Sequence, residues 1–159
     1  MNMNSLLHFL PIGNYKCINT YPVESGVCTI EYINDAGVDG LLFSFYGENV
    51  NKTPTSNRIK YLSDGTIHNE NVQTGKWHVE DDQLILVTSS VKHPSRKRII
   101  ERVGNVITNV AINRTNNEHE STEVFIGGDS DSNYASVKNI AIIGLLLLSF
   151  ILYNKNKKK

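Results

Sequence analysis

The sequence predicts an all-β domain of antiparallel strands followed by one C-terminal transmembrane helix. Three observations predict it: short segments of alternating apolar residues recur from 13 to 126, turn residues separate them at close spacing, and the longest apolar run ends the chain. Many short strands with tight connections form a meander that closes into a barrel or packs as a sandwich. The expected organisation is an N-terminal segment 1–12, a β-domain 13–126, a polar linker 127–139, an anchor 140–154 and a basic tail 155–159.

In chain order, weak alternation at 13–18 and stronger alternation at 27–33 predict two strands joined by a long loop containing Pro22 and Gly26. A turn cluster at 34–40 precedes Leu-Leu-Phe-Ser-Phe-Tyr at 41–46, a strand packed on at least one face, and 47–57 reads as a polar loop around Pro54. Further strands are predicted at 58–62, 66–72, 76–80 and 83–89, punctuated by Ser63-Asp64-Gly65, Thr74-Gly75 and Asp81-Asp82. A loop at 90–95 leads to strands at 97–103 and 106–112 around Gly104-Asn105, and 122–126 closes the set. No helix is predicted before the anchor.

The residues Tyr61-Leu62-Ser63-Asp64-Gly65-Thr66, then Gly75-Lys76-Trp77-His78-Val79 and Glu80-Asp81-Asp82-Gln83-Leu84-Ile85-Leu86, carry a family likeness. A strand, an Asp-Gly turn, a strand, Gly-x-Trp, an acidic turn and an alternating strand resemble the repeating phrase of bacterial lipocalin-like domains. The resemblance implies a small antiparallel barrel or half-barrel, and it implies architecture more than activity, because fold does not fix function. Trp77 and Val79 share a strand face. Trp77 is expected to plug the core, with a role as a ligand-contacting aromatic at a barrel mouth as the alternative.

The anchor reading rests on 140–153, Ile-Ala-Ile-Ile-Gly-Leu-Leu-Leu-Leu-Ser-Phe-Ile-Leu-Tyr. Crossing a bilayer core takes roughly 20 helical residues. Lys138 and Lys155 extend the span with long aliphatic stems and Tyr153 suits the interface. A buried core helix is the alternative at this length. Met1 to Ile12 has no basic n-region or small-residue cleavage site, so no signal peptide is expected, and the topology reads as tail-anchored with the β-domain facing the cytoplasm. The basic tail favours the opposite orientation.

Charge narrows the function. The five lysines of 138–159 leave 11 basic against 16 acidic groups in residues 1–137, a net −5 that disfavours nonspecific nucleic-acid binding. The basic group Lys92, His93, Arg96, Lys97 and Arg98 reads as a solvated loop leading into a strand, with contact to lipid headgroups as the alternative. Cys17 and Cys28 fall on adjacent strands with compatible parity, so a cross-strand disulfide and two buried thiols are both open. His68 and His78, on neighbouring strands near Glu70 and Glu80, are the one metal-like constellation, and two solvent-facing histidines explain them more simply. Asn51-Lys52-Thr53 and Asn113-Arg114-Thr115 match the glycosylation pattern, which matters only in a secretory lumen.

No phosphate-binding glycine loop, nucleophile elbow or His-Glu metal motif is present, so an enzyme is disfavoured and no cofactor is implied. The expected function is a noncatalytic interaction or structural module held at a lipid bilayer, with a partner protein as its target. The alternatives are a lipocalin-like carrier of an apolar small molecule, with Phe43, Phe45, Tyr61 and Trp77 around its cavity, and a membrane-bound enzyme or metal-binding protein.

Overall fold

The computed structural model describes residues 2–20, 23–49, 51–91 and 94–127. A short helix, α1 (Met3–Phe9), leads into strands β1 (Gly13–Thr20), β2 (Val23–Asp35), β3 (Val38–Asn49), β4 (Pro54–Leu62) and β5 (Thr66–Asn69). Then follow β6 (Val72–Glu80), β7 (Gln83–Thr88), β8 (Arg96–Val103), β9 (Val106–Asn113) and β10 (His119–Gly127). Each strand pairs antiparallel with the next, and β1 pairs with β10 to close the barrel. The expected antiparallel meander is therefore a closed barrel, neither a half-barrel nor a sandwich.

Local chemistry sets the connections. Ala36 and Gly37 join β2 to β3, and Asp81 and Asp82 join β6 to β7, all four with positive φ. Two such residues in a row give the hairpin twist that matches twisted strands. Asp64 stiffens the β4–β5 turn by accepting from the Thr66 backbone N–H at 2.9 Å and from its hydroxyl at 2.6 Å, which holds its carboxyl below the usual carboxylate range. At Gly75 a Cβ would stand 2.3 Å from the Val87 carbonyl oxygen, so only glycine allows β6 to press this closely on β7.

One residue in two along the strands points inward. The core gathers Tyr15 and Cys17, Cys28 and Ile30, Leu41 and Phe43, Tyr61, Ile67, Trp77, Leu84 and Leu86, Ile100, Ile107 and Phe125. The period of two explains the choice. At one end α1 adds Leu6, Phe9 and Leu10, all nearly inaccessible to solvent.

That helix, within the N-terminal segment 1–12, corrects the expectation that no helix precedes residue 140. Met3, Leu6, Leu7 and Leu10 follow the i, i+3, i+4, i+7 spacing of an apolar helix face, and Asn2 caps the start by accepting from the Ser5 N–H at 3.0 Å. Arg102 Nη1 donates to the His8 carbonyl at 2.9 Å, and the Tyr15 hydroxyl donates to the Pro11 carbonyl at 2.6 Å, which ties the helix and its exit to the barrel. A second correction concerns 47–57. β3 runs on to Asn49 and β4 starts at Pro54, because Gly26 and Gly47 face each other and let the backbones close up where side chains would clash.

Residues 128–159 lie outside the described residues, and with them the expected linker, the anchor 140–154 and its flanks Lys138, Tyr153 and Lys155. Among the described residues no helix is long and apolar enough to cross a membrane.

Candidate functional site: the barrel interior

The core does not fill the barrel. A cavity of about 570 Å³ runs from Leu10 at the α1 end, past Phe43, Phe45, Ile59, Tyr61 and Ile67, to polar residues such as Ser56, Asn69 and Ser89 at the far end. Phe43 and Phe125 pack with ring centroids 5.3 Å apart and form part of its wall. Of the aromatic residues expected around a cavity, Phe43, Phe45 and Tyr61 line it.

Trp77 does not. Its indole is 1% exposed, its Nε1 donates to the Leu62 carbonyl at 2.7 Å, and its backbone N–H donates to the Gly65 carbonyl at 2.9 Å. The Asp-Gly turn and the Gly-x-Trp strand are thus two halves of one packing unit. Trp77 locks the β4–β5 turn and leaves the cavity to others.

Cys17 and Cys28 are both buried, their Cα atoms are 6.2 Å apart, and the structure joins them as a disulfide. That separation is within the range a bridge normally spans. Cys17 lies opposite Gly26 and Cys28 opposite Tyr15, so the bond staples β1 to β2 diagonally, with Cys17 on the cavity wall.

One linked group of polar side chains inside comes from β8, β9 and β10. Arg98 Nη1 stands 3.4 Å from Glu123 Oε1, and Asn109 Nδ2 donates to Glu123 Oε2 at 3.0 Å. Nearer the mouth, Arg96 Nε donates to Glu120 Oε2 at 2.6 Å. The register explains the grouping: Asn109 lies opposite both Ile100 and Glu123, so inward residues of three strands meet at one level. The Tyr61 hydroxyl is raised well above its usual pKa, first by burial, with Glu123 adding to the shift and Arg98 opposing it. Tyr61 therefore stays a neutral phenol.

This is a correction to the basic group. Arg96 and Arg98 do not belong to a solvated loop; they open β8 and line the barrel interior, while Lys92 and His93 lie outside the described residues. The missed signal was the matching carboxylates Glu120 and Glu123, which come two strands later.

His68 and His78 are not brought together. His68 lies within hydrogen-bonding distance of Thr66 Oγ1 at 3.0 Å, and His78 of Glu80 Oε2 at 3.2 Å, each on its own strand. Among the described residues no group of three or more His, Cys, Asp or Glu side chains is placed to hold a metal ion. The residues that share the interior combine apolar walls with a linked polar group on β8, β9 and β10.

No protein-family model matches the chain, and no curated protein matches it. Among solved structures, it is similar to the S-type phycobiliprotein lyase CPES from Guillardia theta, with a TM-score of 0.53 at 8% identity, over 82% of this chain and 95% of that one. What the two share is the fold: this chain is a lipocalin-like antiparallel barrel.

Proposed function

We propose that the barrel is a binding module that takes an apolar small molecule into its interior. The observation that carries this reading is the 570 Å³ cavity with aromatic and aliphatic walls. A barrel built only as a scaffold or docking surface gains by filling its interior, since packed side chains contribute dispersion that a void forfeits. Small-molecule sites fall in the range of roughly 300–1,000 Å³ and are mostly apolar with a few placed polar groups. The likeness to a lyase supports the architecture and leaves the ligand to this chain's own residues.

The test is titration of the full chain with a neutral, environment-sensitive apolar dye. Saturable one-to-one binding is expected, weakened at least tenfold by Phe45→Trp, which fills part of the cavity. A folded protein that shows no saturable binding overturns the proposal.

The apolar run 140–153 would hold this module at a bilayer, with Lys138, Tyr153 and Lys155 at the headgroups. The bonded Cys17 and Cys28 favour an oxidising compartment, hence a barrel on the extracytoplasmic side rather than the cytoplasmic side that the N-terminal sequence suggested. Alkaline washing of native membranes should leave the protein bound, and protease added from the cytoplasmic side should leave the barrel intact. Release by the wash removes the anchor, and cleavage from the cytoplasmic side reverses the orientation.

A further inference from the structure

We infer that the cavity selects a neutral polar head that offers a hydrogen-bond donor and an acceptor together, at the end of an otherwise apolar molecule. This rests on the small-molecule reading above and specifies its chemistry.

Charge comes first. The ionisable residues of opposite sign on the cavity wall are Arg96 and Arg98 against Glu24 and Glu123, so the lining carries no net charge. Arg96 is engaged by Glu120 and Arg98 faces Glu123. A carboxylate head would leave water without a spare cation to meet it, which is unfavourable in a low-dielectric interior, and an ammonium head, though Glu24 lies on the wall, brings no acceptor for Arg98.

Hydrogen-bonding capacity comes second. Asn109 is 4% exposed and lines the cavity; its Nδ2 is committed to Glu123, and its Oδ1 is buried with no hydrogen-bond partner among the described residues. A buried acceptor left unmet is costly, so a ligand donor placed there gains more than an average hydrogen bond. Arg98 supplies the opposite need. Its guanidinium carries N–H donors on three nitrogens, and its ion-pair contact with Glu123 is 3.4 Å long, beyond ordinary hydrogen-bond length. Arg98 and Asn109 reach the two oxygens of the same carboxylate, which puts an unmet acceptor and cationic donors on one stretch of the cavity wall. A carboxamide or lactam presents that pattern, with a carbonyl for Arg98 and an N–H for Asn109. An ester has only the carbonyl, and a carboxylate adds the uncompensated charge.

The experiment is calorimetric titration of the full chain near pH 7.5 with octanamide, methyl octanoate and octanoate, which share an alkyl chain and differ at the head. The amide is expected to bind about tenfold tighter than either of the others. Asn109→Leu should reduce that advantage over the ester to less than threefold, a discrimination set by the lost acceptor. Equal affinity for amide and ester, or tighter binding of octanoate, overturns the inference while the small-molecule reading stands. A folded protein that binds none of the three and no apolar dye overturns both. If Asn109→Leu does not fold, the three-ligand ranking on the parent chain decides the matter alone.

Discussion

Replacing Trp77 by alanine should cost more stability than any other single truncation in the strand phrase it belongs to, and should do so without being a ligand effect. The indole is 1% exposed and its Nε1 donates to the Leu62 carbonyl at 2.7 Å. Deleting a fully buried large aromatic costs about 3–5 kcal/mol, through lost transfer energy and the void left behind. The Leu62 carbonyl is not orphaned, since it also accepts from the Gly65 N–H at 3.0 Å, and the Trp77 backbone bond to Gly65 survives the substitution. A value near the middle of the range, about 4 kcal/mol, is therefore expected. For the compact unit Met1–Gly127, an unfolding entropy of about 2.1 cal/mol/K per residue amounts to about 0.27 kcal/mol/K. The melting temperature should then fall by about 15 °C. Trp77→Phe keeps most of the volume and loses the hydrogen bond, so about 1–2 kcal/mol and a fall of about 4–7 °C are expected. Far-UV circular dichroism during heating and urea unfolding measures both. A Trp77→Ala melting point within about 3 °C of the parent would refute the packing argument, given the same entropy scale. A tenfold loss of dye affinity in Trp77→Phe would refute the separation of Trp77 from the cavity.

Three further outcomes are expected. The Cys17–Cys28 bridge closes a loop with a sequence separation of 11, worth about 3 kcal/mol on the chain-entropy account, so the Cys17→Ser, Cys28→Ser double variant should lose about that much; an unchanged urea midpoint on adding reductant to the parent would count against a bridge. Arg102→Ala removes the donor to the His8 carbonyl, and amide exchange in α1 should accelerate well before the barrel strands lose protection; exchange rising uniformly instead would mean that the helix is held by its apolar face alone. Burial holds the His119 imidazole below its usual pKa, with a backbone hydrogen bond involving Ser121 partly opposing, so the unfolded chain binds that proton more readily. Its contribution is complete above about pH 6.5 and is lost as pH falls through the lower folded value. His119→Gln should flatten the drop in melting temperature between pH 7.5 and 5.5, and an unchanged slope would assign that drop to other groups.

How much of this was legible in the sequence depends on which physical signal each element leaves. Most strands from 58 to 112 announced themselves because their turns are short and chemically marked: Ser63-Asp64-Gly65, Asp81-Asp82 and Gly104-Asn105 all sit where the structure reverses the chain, whereas Thr74-Gly75, expected as a turn, lies inside β6 and Glu70-Asn71 turns the chain instead. Strand ends were less legible. β2 and β3 extend to Asp35 and Asn49 at their far ends, through polar and glycine residues that carry no alternation, because pairing with a neighbour along a closed barrel stabilises them in place of side-chain burial. The helix α1 was missed because a seven-residue helix has little intrinsic stability. Its existence depends on Leu6, Phe9 and Leu10 finding the open end of a barrel, and on Arg102, which comes from a strand 94 residues away in the sequence.

The site was half legible for a related reason. Phe43, Phe45 and Tyr61 stood out as apolar residues on strands, and a barrel interior is where such residues collect. Arg98, Asn109 and Glu123 carried no such mark, since polar residues on a strand are expected to face water. In Arg96-Lys97-Arg98-Ile99-Ile100-Glu101 the alternation fails, because Ile99 and Ile100 are adjacent and either parity buries one of them. The sequence of β8 alone leaves its inward face undecided. Register decides it: Ile100 lies opposite Leu84 and Asn109, and Leu84 is fully buried, so Ile100 goes in and takes Arg98 and Arg96 with it. Those two charges are tolerable inside because the same register brings in Glu123 beside Arg98 and leaves Glu120 within reach of Arg96. The polar wall of the cavity is thus a property of three paired strands, and a shift of β8 by one residue would turn both arginines outward and remove it.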